Sequence, residues 1–206
     1  MISAEESIIH HFADSNAWAL EMAQQPWVES LYRRAFRNFE SSYIVRSDGW
    51  AQRGGIDRKI NLKSARSVFV EEKFRSKDYG DFLLERWSDK VRRKPGWIQQ
   101  DLLADYFAYI FVPSRSMWLL PFLDLRRAWI QHGRSWLNKY KCKDGINPTF
   151  RTENLPVPIP VVIKSITDGF FFRMEDAADK DIVIQSRQID IPDVGHIKIN
   201  SSGATK

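Results

Sequence analysis

Between Trp27 and Phe39 the apolar positions fall at helical spacing: Trp27, Leu31, Ala35 and Phe39 line one face, with Val28 and Phe36 beside them. This stripe predicts an amphipathic helix that closes a helical N-terminal segment at about residue 39. Beyond it the pattern shortens toward a period of two, and strands are predicted over 43–45, 56–62, 68–74 and 82–87. The third is the richest in β-branched and aromatic residues, and Gly54-Gly55 ahead of the second permits a bulge or a close backbone approach. Pro95-Gly96 breaks the chain before a short helix over 96–104. ADYFAYIFV and SMWLLPF follow as two strands joined by a turn at 113–115, and the first is apolar enough for the centre of a sheet. A helix over 123–140 carries Leu125, Trp129, Trp136 and Leu137 on or near one face. From Asn147 the chain becomes extended, punctuated by Pro148, Pro156, Pro158 and Pro160, and VVIKSI with FFFRM supplies a short helix or strand that closes the core. Helices and strands in this order predict a mixed α/β layer fold without internal repeats.

The third predicted strand runs Val68-Phe69-Val70-Glu71-Glu72-Lys73-Phe74. Because side chains alternate along a strand, Glu71 and Lys73 share one face while Val70, Glu72 and Phe74 take the other. Asp57 lies one short hairpin upstream. A solvated Glu-Lys pair on a surface hairpin is the plain alternative, but this strand enters a core through Val68, Phe69 and Val70 before it turns ionic. Two carboxylates beside an ammonium suit phosphodiester hydrolysis. Mg²⁺ prefers oxygen ligands, keeps several waters, and is held by one or two carboxylates plus substrate phosphate. Asp57 and Glu71 are the expected ligands of Mg²⁺, with Mn²⁺ as a substitute, and Lys73 is the expected water-orienting or charge-stabilising group.

The order Asp57, Glu71-x-Lys73 resembles the PD-(D/E)XK nuclease superfamily. The flanking words are also similar to small bacterial and phage members: Gln52 then Gly55-Ile56-Asp57, Glu72-Lys73-Phe74-Arg75, and Asp81-Phe82-Leu83-Leu84-Glu85. The similarity runs from about Leu31 to Trp136, and Ile56 stands where the eponymous proline would precede the acid. The resemblance implies a restriction-endonuclease-like α/β fold, with a mixed β-sheet flanked by α-helices. It also implies a metal-dependent nuclease that hydrolyses phosphodiester bonds with one or two Mg²⁺ ions. Many members carry a further acid on the first core helix. Glu29 and Glu40 are the candidates here, although Glu29, near the helix start, also suits the helix dipole. Asp81 reaches the margin of the site only if its strand lies beside that of Glu71; pairing with Arg75 or Lys77 is its plainer role.

With 206 residues, 43% hydrophobic and 13% aromatic, the chain can bury one sizeable core. The expected organisation is a single nuclease-like domain over 1–194, comprising a helical segment over 1–40, a core over 41–140 and a C-terminal extension over 141–194, followed by a flexible tail over 195–206. The net charge of +5 permits nucleic-acid binding, and the placement of the cations matters more than their sum. Gln52, Arg53 and Arg58 flank the site, and Arg92, Arg93 and Lys94, between Trp87 and Trp97, form the best candidate loop for nucleic acid. Lys139, Lys141 and Lys143 read as a solvated face.

DNA is expected as partner ahead of RNA, and a two-fold homodimer suits an enzyme that cuts both strands. No apolar run is long enough to cross a bilayer, MISAEESIIHHF lacks the order of a secretory signal, and lone Cys142 forms no internal disulfide. A cytoplasmic protein without a membrane partner is therefore expected. His10, His11, His132 and His196 lack zinc spacing, and the acids Glu175, Asp176, Asp179 and Asp181 lack the spacing of a calcium loop. Two other classes compete with the enzyme. A nuclease-fold module could bind nucleic acid or protein without cutting, and would need no divalent metal. A structural subunit would expose an aromatic patch among residues 118–136.

Overall fold

Pro26 divides the N-terminal helical segment into α1 (Phe12–Ala23) and α2 (Pro26–Ala35), because proline suits a first helical turn but cannot donate within a continuing helix. The computed structural model describes residues 12–166 and 169–174. His10, His11, His196, the acids at 175–181 and the tail 195–206 lie outside the described residues. After α2 come β1 (Phe39–Ile44), a short helix α3 (Gly49–Gly54), β2 (Arg58–Leu62) and β3 (Ser67–Arg75). Next are β4 (Asp81–Asp89), β5 (Lys94–Pro95) and a 3-10 turn at Trp97–Gln99. They are followed by β6 (Tyr106–Phe111), β7 (Ser116–Pro121) and α4 (Phe122–Lys139). The described chain closes with β8 (Lys143–Ile146), β9 (Arg151–Pro158), α5 (Ile159–Ile163) and β10 (Phe170–Arg173).

The strands form a six-stranded sheet in the order β1-β2-β3-β6-β7-β10 and a four-stranded sheet in the order β5-β4-β9-β8. In the larger sheet β3 runs antiparallel to β2 and parallel to β6, so the sheet is mixed and β3 is central. The fold is mixed α/β, as the pattern of elements predicts. Burial alternates along the whole of β3. Val68, Val70 and Phe74 join Ala108 and Ile110 of β6 against Val28, Leu31 and Tyr32 of α2. On the opposite face Phe107, Tyr109 and Phe111 of β6 pack with Phe82 and Leu84 of β4, Leu155 and Val157 of β9, and Leu125 and Ala128 of α4.

Several expectations are corrected. Helices cover one face, but the other is covered largely by a second sheet together with α4, because Phe82 and Leu84 turn inward and pair β4 with β9. The N-terminal helices end at Ala35, and β1 begins at Phe39, inside the segment assigned to helix. Residues 96–104 hold only the 3-10 turn, whereas the polar, glycine-bounded segment at α3 is helical without an apolar stripe to announce it. In the C-terminal segment, expected to close the core, β9 pairs with β4 and β10 with β7, so strands from it join both sheets. The aromatic patch of a structural subunit is missing as well, since Trp136 is buried and Trp118 and Trp129 are half-buried.

Under β3, on the helix side, lies a buried ionic knot. Glu72 Oε1 accepts hydrogen bonds from Arg58 Nε at 2.7 Å and from Tyr32 Oη at 2.8 Å. Arg58 also donates to the Ala23 carbonyl at 2.6 Å and to Ser42 Oγ at 3.2 Å, and its guanidinium lies over the Tyr32 ring. Five elements, α1, α2, β1, β2 and β3, thus meet at one cation. Burial pushes the Tyr32 hydroxyl well above its ordinary pKa, with the Glu72 charge adding to the rise. Truncating one partner of such a pair strands the other charge in the core. Glu72→Ala is therefore expected to cost about 3–5 kcal/mol in urea unfolding. Glu29→Ala, which breaks the exposed Arg33 pair, should cost less than about 1 kcal/mol. Similar losses in the two variants would contradict a buried knot.

Candidate active site

The small apolar cluster of Val45, Ala51 and Ile56, with Phe69 packed against it, seats α3 on the outer part of the sheet. At the end of α3 the chain turns through Gly55 at φ 63°, where an added Cβ would lie 2.6 Å from a Leu102 methyl carbon. That turn delivers Asp57 one residue beyond the last β2–β3 pair, Arg58 with Val70, and so beside Glu71. Asp57 is held by its backbone on both sides: its N–H donates to the Val70 carbonyl at 2.9 Å, and its carbonyl accepts from the Val45 N–H at 2.8 Å. Its Oδ2 accepts the Glu72 N–H at 2.9 Å. Its Oδ1 faces Arg46, whose Nε is 2.8 Å away.

Glu71 and Lys73 occupy the β3 face opposite the ionic knot, as the alternation predicts. Burial is the largest influence on the Glu71 carboxyl and the negative charge of Asp57 the next; Lys73 and Arg46 oppose them, and the net result lifts Glu71 to about 8. Burial also raises Asp57, with the Arg46 charge pulling it down and the Glu72 charge pushing it up. Two acids and two cations therefore share one partly desolvated patch. Among the described residues Lys73 makes no close ion pair, which leaves its ammonium available beside the carboxylates.

Two carboxylates whose mutual repulsion is relieved by a cation are a donor set that can hold one hard divalent ion. Mg²⁺ and Mn²⁺ would take these oxygens and complete their shells with water and phosphate. Among the described residues no group of three or more His, Cys, Asp or Glu gathers as an all-protein cage.

The remaining candidates divide. Gln52 and Arg53 are exposed on α3, just ahead of Asp57 in the chain. Arg58 is not: it is 3% exposed and bound to Glu72 on the helix side, so the expectation that it contacts nucleic acid is overturned. The strand period explains this, since Arg58 is one residue past Asp57 and points the other way. Arg92 and Arg93 sit on the exposed turn between β4 and β5 and Lys94 opens β5, and Arg92 pairs with Asp89 at 2.9 Å. That hairpin is tied to the site's sheet through Trp97, which stacks on Phe107 at 4.0 Å; Phe107 is the β6 partner of Glu71. Trp97 is thus core and not a stacking platform for bases.

Glu29 pairs with Arg33 and accepts from Ser42 at 3.5 Å on the helix side, and Glu40 is exposed on the edge strand β1; neither is joined to Asp57 by any contact. Asp81 is 3.4 Å from Arg75, on a strand of the second sheet. Cys142 is half-buried, and burial pushes its thiol up, away from nucleophilic chemistry. Sequence reading missed Arg46. It sits in a polar turn after a strand, where no periodicity marks its direction.

An acid raised by folding favours its protonated form, so Glu71 contributes stability that is whole below the ordinary carboxylate range and is lost as pH rises through about 8. Metal-free wild type should accordingly melt lower at about pH 9 than at about pH 6, and Glu71→Gln should remove much of that fall. Thermal melts across this range check the sign, and identical slopes in both proteins would show that Glu71 is not the buried acid. No family model, curated protein or solved structure matches this chain.

Proposed function

We propose that this protein is a metal-dependent nuclease that hydrolyses phosphodiester bonds of nucleic acid, DNA ahead of RNA, on a restriction-endonuclease-like sheet. One observation carries the reading: two desolvated carboxylates, Asp57 just ahead of β2 and Glu71 on β3, lie near the ammonium of Lys73, which makes no close ion pair among the described residues. Asp57 and Glu71 would hold the ion, and a divalent cation bound there supplies charge stabilisation at the phosphoryl oxygens and acidifies a water. The rest falls to the chain. Asp57 is positioned by two backbone hydrogen bonds and by the Glu72 N–H, so its carboxylate reorganises little on binding. Lys73 is rigidly presented by β3 and can orient the attacking water or offset negative charge on the pentavalent phosphorus. Exposed Gln52 and Arg53 on α3 are the proposed contacts to phosphates flanking the scissile bond, and exposed Arg92, Arg93 and Lys94 the proposed contacts further along the backbone.

A second reading draws on a specific observation. Arg46 already neutralises Asp57, as it would in a nuclease-fold module that binds nucleic acid without cutting. Such a module needs no divalent ion. Single- and double-stranded DNA and RNA, incubated with Mg²⁺ or Mn²⁺, should be cleaved by the wild type. Asp57→Ala, Glu71→Ala and Lys73→Ala should each lose at least about a hundredfold in rate with unchanged circular dichroism. Full cleavage by both the Asp57 and the Lys73 variants would refute the assignment. Nucleic-acid binding indifferent to chelator, without cleavage, would favour the module.

A further inference from the structure

The Asp57 oxygen that faces away from the backbone is the one Arg46 covers. Oδ2 is engaged by the Glu72 N–H at 2.9 Å, while Oδ1 lies 2.8 Å from Arg46 Nε. The turn that presents Arg46 is itself fixed. Val45 before it is buried and donates to the Asp57 carbonyl, and the Asp48 N–H donates back to the Val45 carbonyl at 2.9 Å, so the turn is closed on both sides. The Arg46 side chain is 22% exposed against 13% for Asp57, and its buried Nε is close to Oδ1 without a well-aligned hydrogen bond, so the pair is held by charge and not by hydrogen-bond geometry. Asp57 is the only acid that pairs with Arg46 among the described residues.

We infer that Arg46 is an exchangeable internal counterion: it occupies Asp57 when no metal is bound, yields Oδ1 to an incoming divalent cation, and then pairs with a phosphate oxygen of the substrate. The inference rests on the nuclease reading above. The physical case is one of competition. A cation entering between Asp57 and Glu71 must displace or repel the guanidinium at 2.8 Å, whereas Lys73, fixed on β3 beside Glu71, stays with the strand. A displaced guanidinium needs a new anion. A substrate phosphate completing the metal's shell would supply one, and a planar guanidinium is well suited to paired phosphate oxygens. Arg46 is thus a phosphate-contacting residue in the loaded state and a metal surrogate in the empty one.

Titration calorimetry with Mn²⁺, without nucleic acid, tests the exchange. Arg46→Gln and Arg46→Met, two replacements that keep much of the length without the charge, should bind Mn²⁺ about tenfold more tightly than wild type, the size of one partly screened charge interaction. Measurable binding in these variants alone would support the inference equally. With Ca²⁺ in place of Mn²⁺, the same variants should bind a short DNA oligonucleotide about tenfold more weakly, as one lost charged contact predicts. Unchanged or weaker Mn²⁺ binding in the variants overturns the inference, as does the absence of binding in every protein tested. The Asp57→Ala, Glu71→Ala double variant separates the two levels. If Mn²⁺ binding survives there, the metal placement of the nuclease reading fails; if binding is lost there but the Arg46 variants match wild type, only the exchange fails. Wild-type protein gives a readout independent of variant folding. The Arg46 Nε–H signal in a nitrogen-proton spectrum should shift as Mg²⁺ is added, and a signal unmoved at saturating Mg²⁺ overturns the proposal.

Discussion

The contact between Arg58 and Glu72 governs how the central strand can sit. A buried carboxylate and a buried guanidinium each carry a large desolvation cost, offset here by their mutual pairing and by Tyr32, Ser42 and the Ala23 carbonyl, although Glu72 Oε2 is buried without a hydrogen-bond partner among the described residues. Because side chains alternate, Glu72 pointing to the helices obliges Glu71 and Lys73 to point the other way. A slip of β3 by one residue would drive Glu71 and Lys73 into the helix side and expel Val70 and Phe74. Buried ion pairs often add little net stability over an apolar core, and fixing register is their best-attested use.

On the working face the same strand does the positioning. Asp57 is anchored to the main chain of β3 and of the turn after β1, and Glu71 and Lys73 belong to β3 itself, so the three candidate groups ride on paired backbone. Charge balance explains how two acids persist in a partly desolvated patch. Arg46 and Lys73 each lower the Glu71 carboxyl against burial and the Asp57 charge, and the rise to about 8 shows that this compensation is incomplete. The knot below and the patch above are linked through one peptide unit, since the Glu72 N–H reaches Asp57 while the Glu72 side chain holds Arg58.

The second sheet has a different task. It covers the aromatic row Phe107, Tyr109 and Phe111 of β6, and Tyr109 Oη joins the layers by accepting from the Leu83 N–H at 2.6 Å and from Arg75 at 2.9 Å. Arg75 lies two residues beyond Lys73 on the same face, so the ionic strip along β3 ends where the two sheets meet. The chain reaches this layering by sending β9 and β10 into different sheets, which makes the C-terminal strands part of the scaffold around the site.

Much of the geometry of the candidate site was legible in advance. Asp57, Glu71 and Lys73, the opposed directions of Glu71 and Glu72, and the strands at β2, β3, β6 and β7 follow from local rules, because side-chain direction along a strand is set by backbone geometry. Helix α4 was legible for the same reason, through its apolar stripe. Helix α3 and the departure of β4 into a second sheet were not, since neither is marked by a period that distinguishes it from its alternatives. Arg58 shows the boundary most clearly. Its place beside Asp57 in the chain suggested a phosphate contact, yet the fold turns it inward to Glu72. The grouping of Glu71 and Lys73 on one face of β3 was thus already fixed by the order of residues along the strand. That Arg46 meets Asp57, that Arg58 is buried and that a second sheet closes the core came only with packing of the whole chain. Those contacts join segments remote in sequence, and no local preference specifies a distant partner.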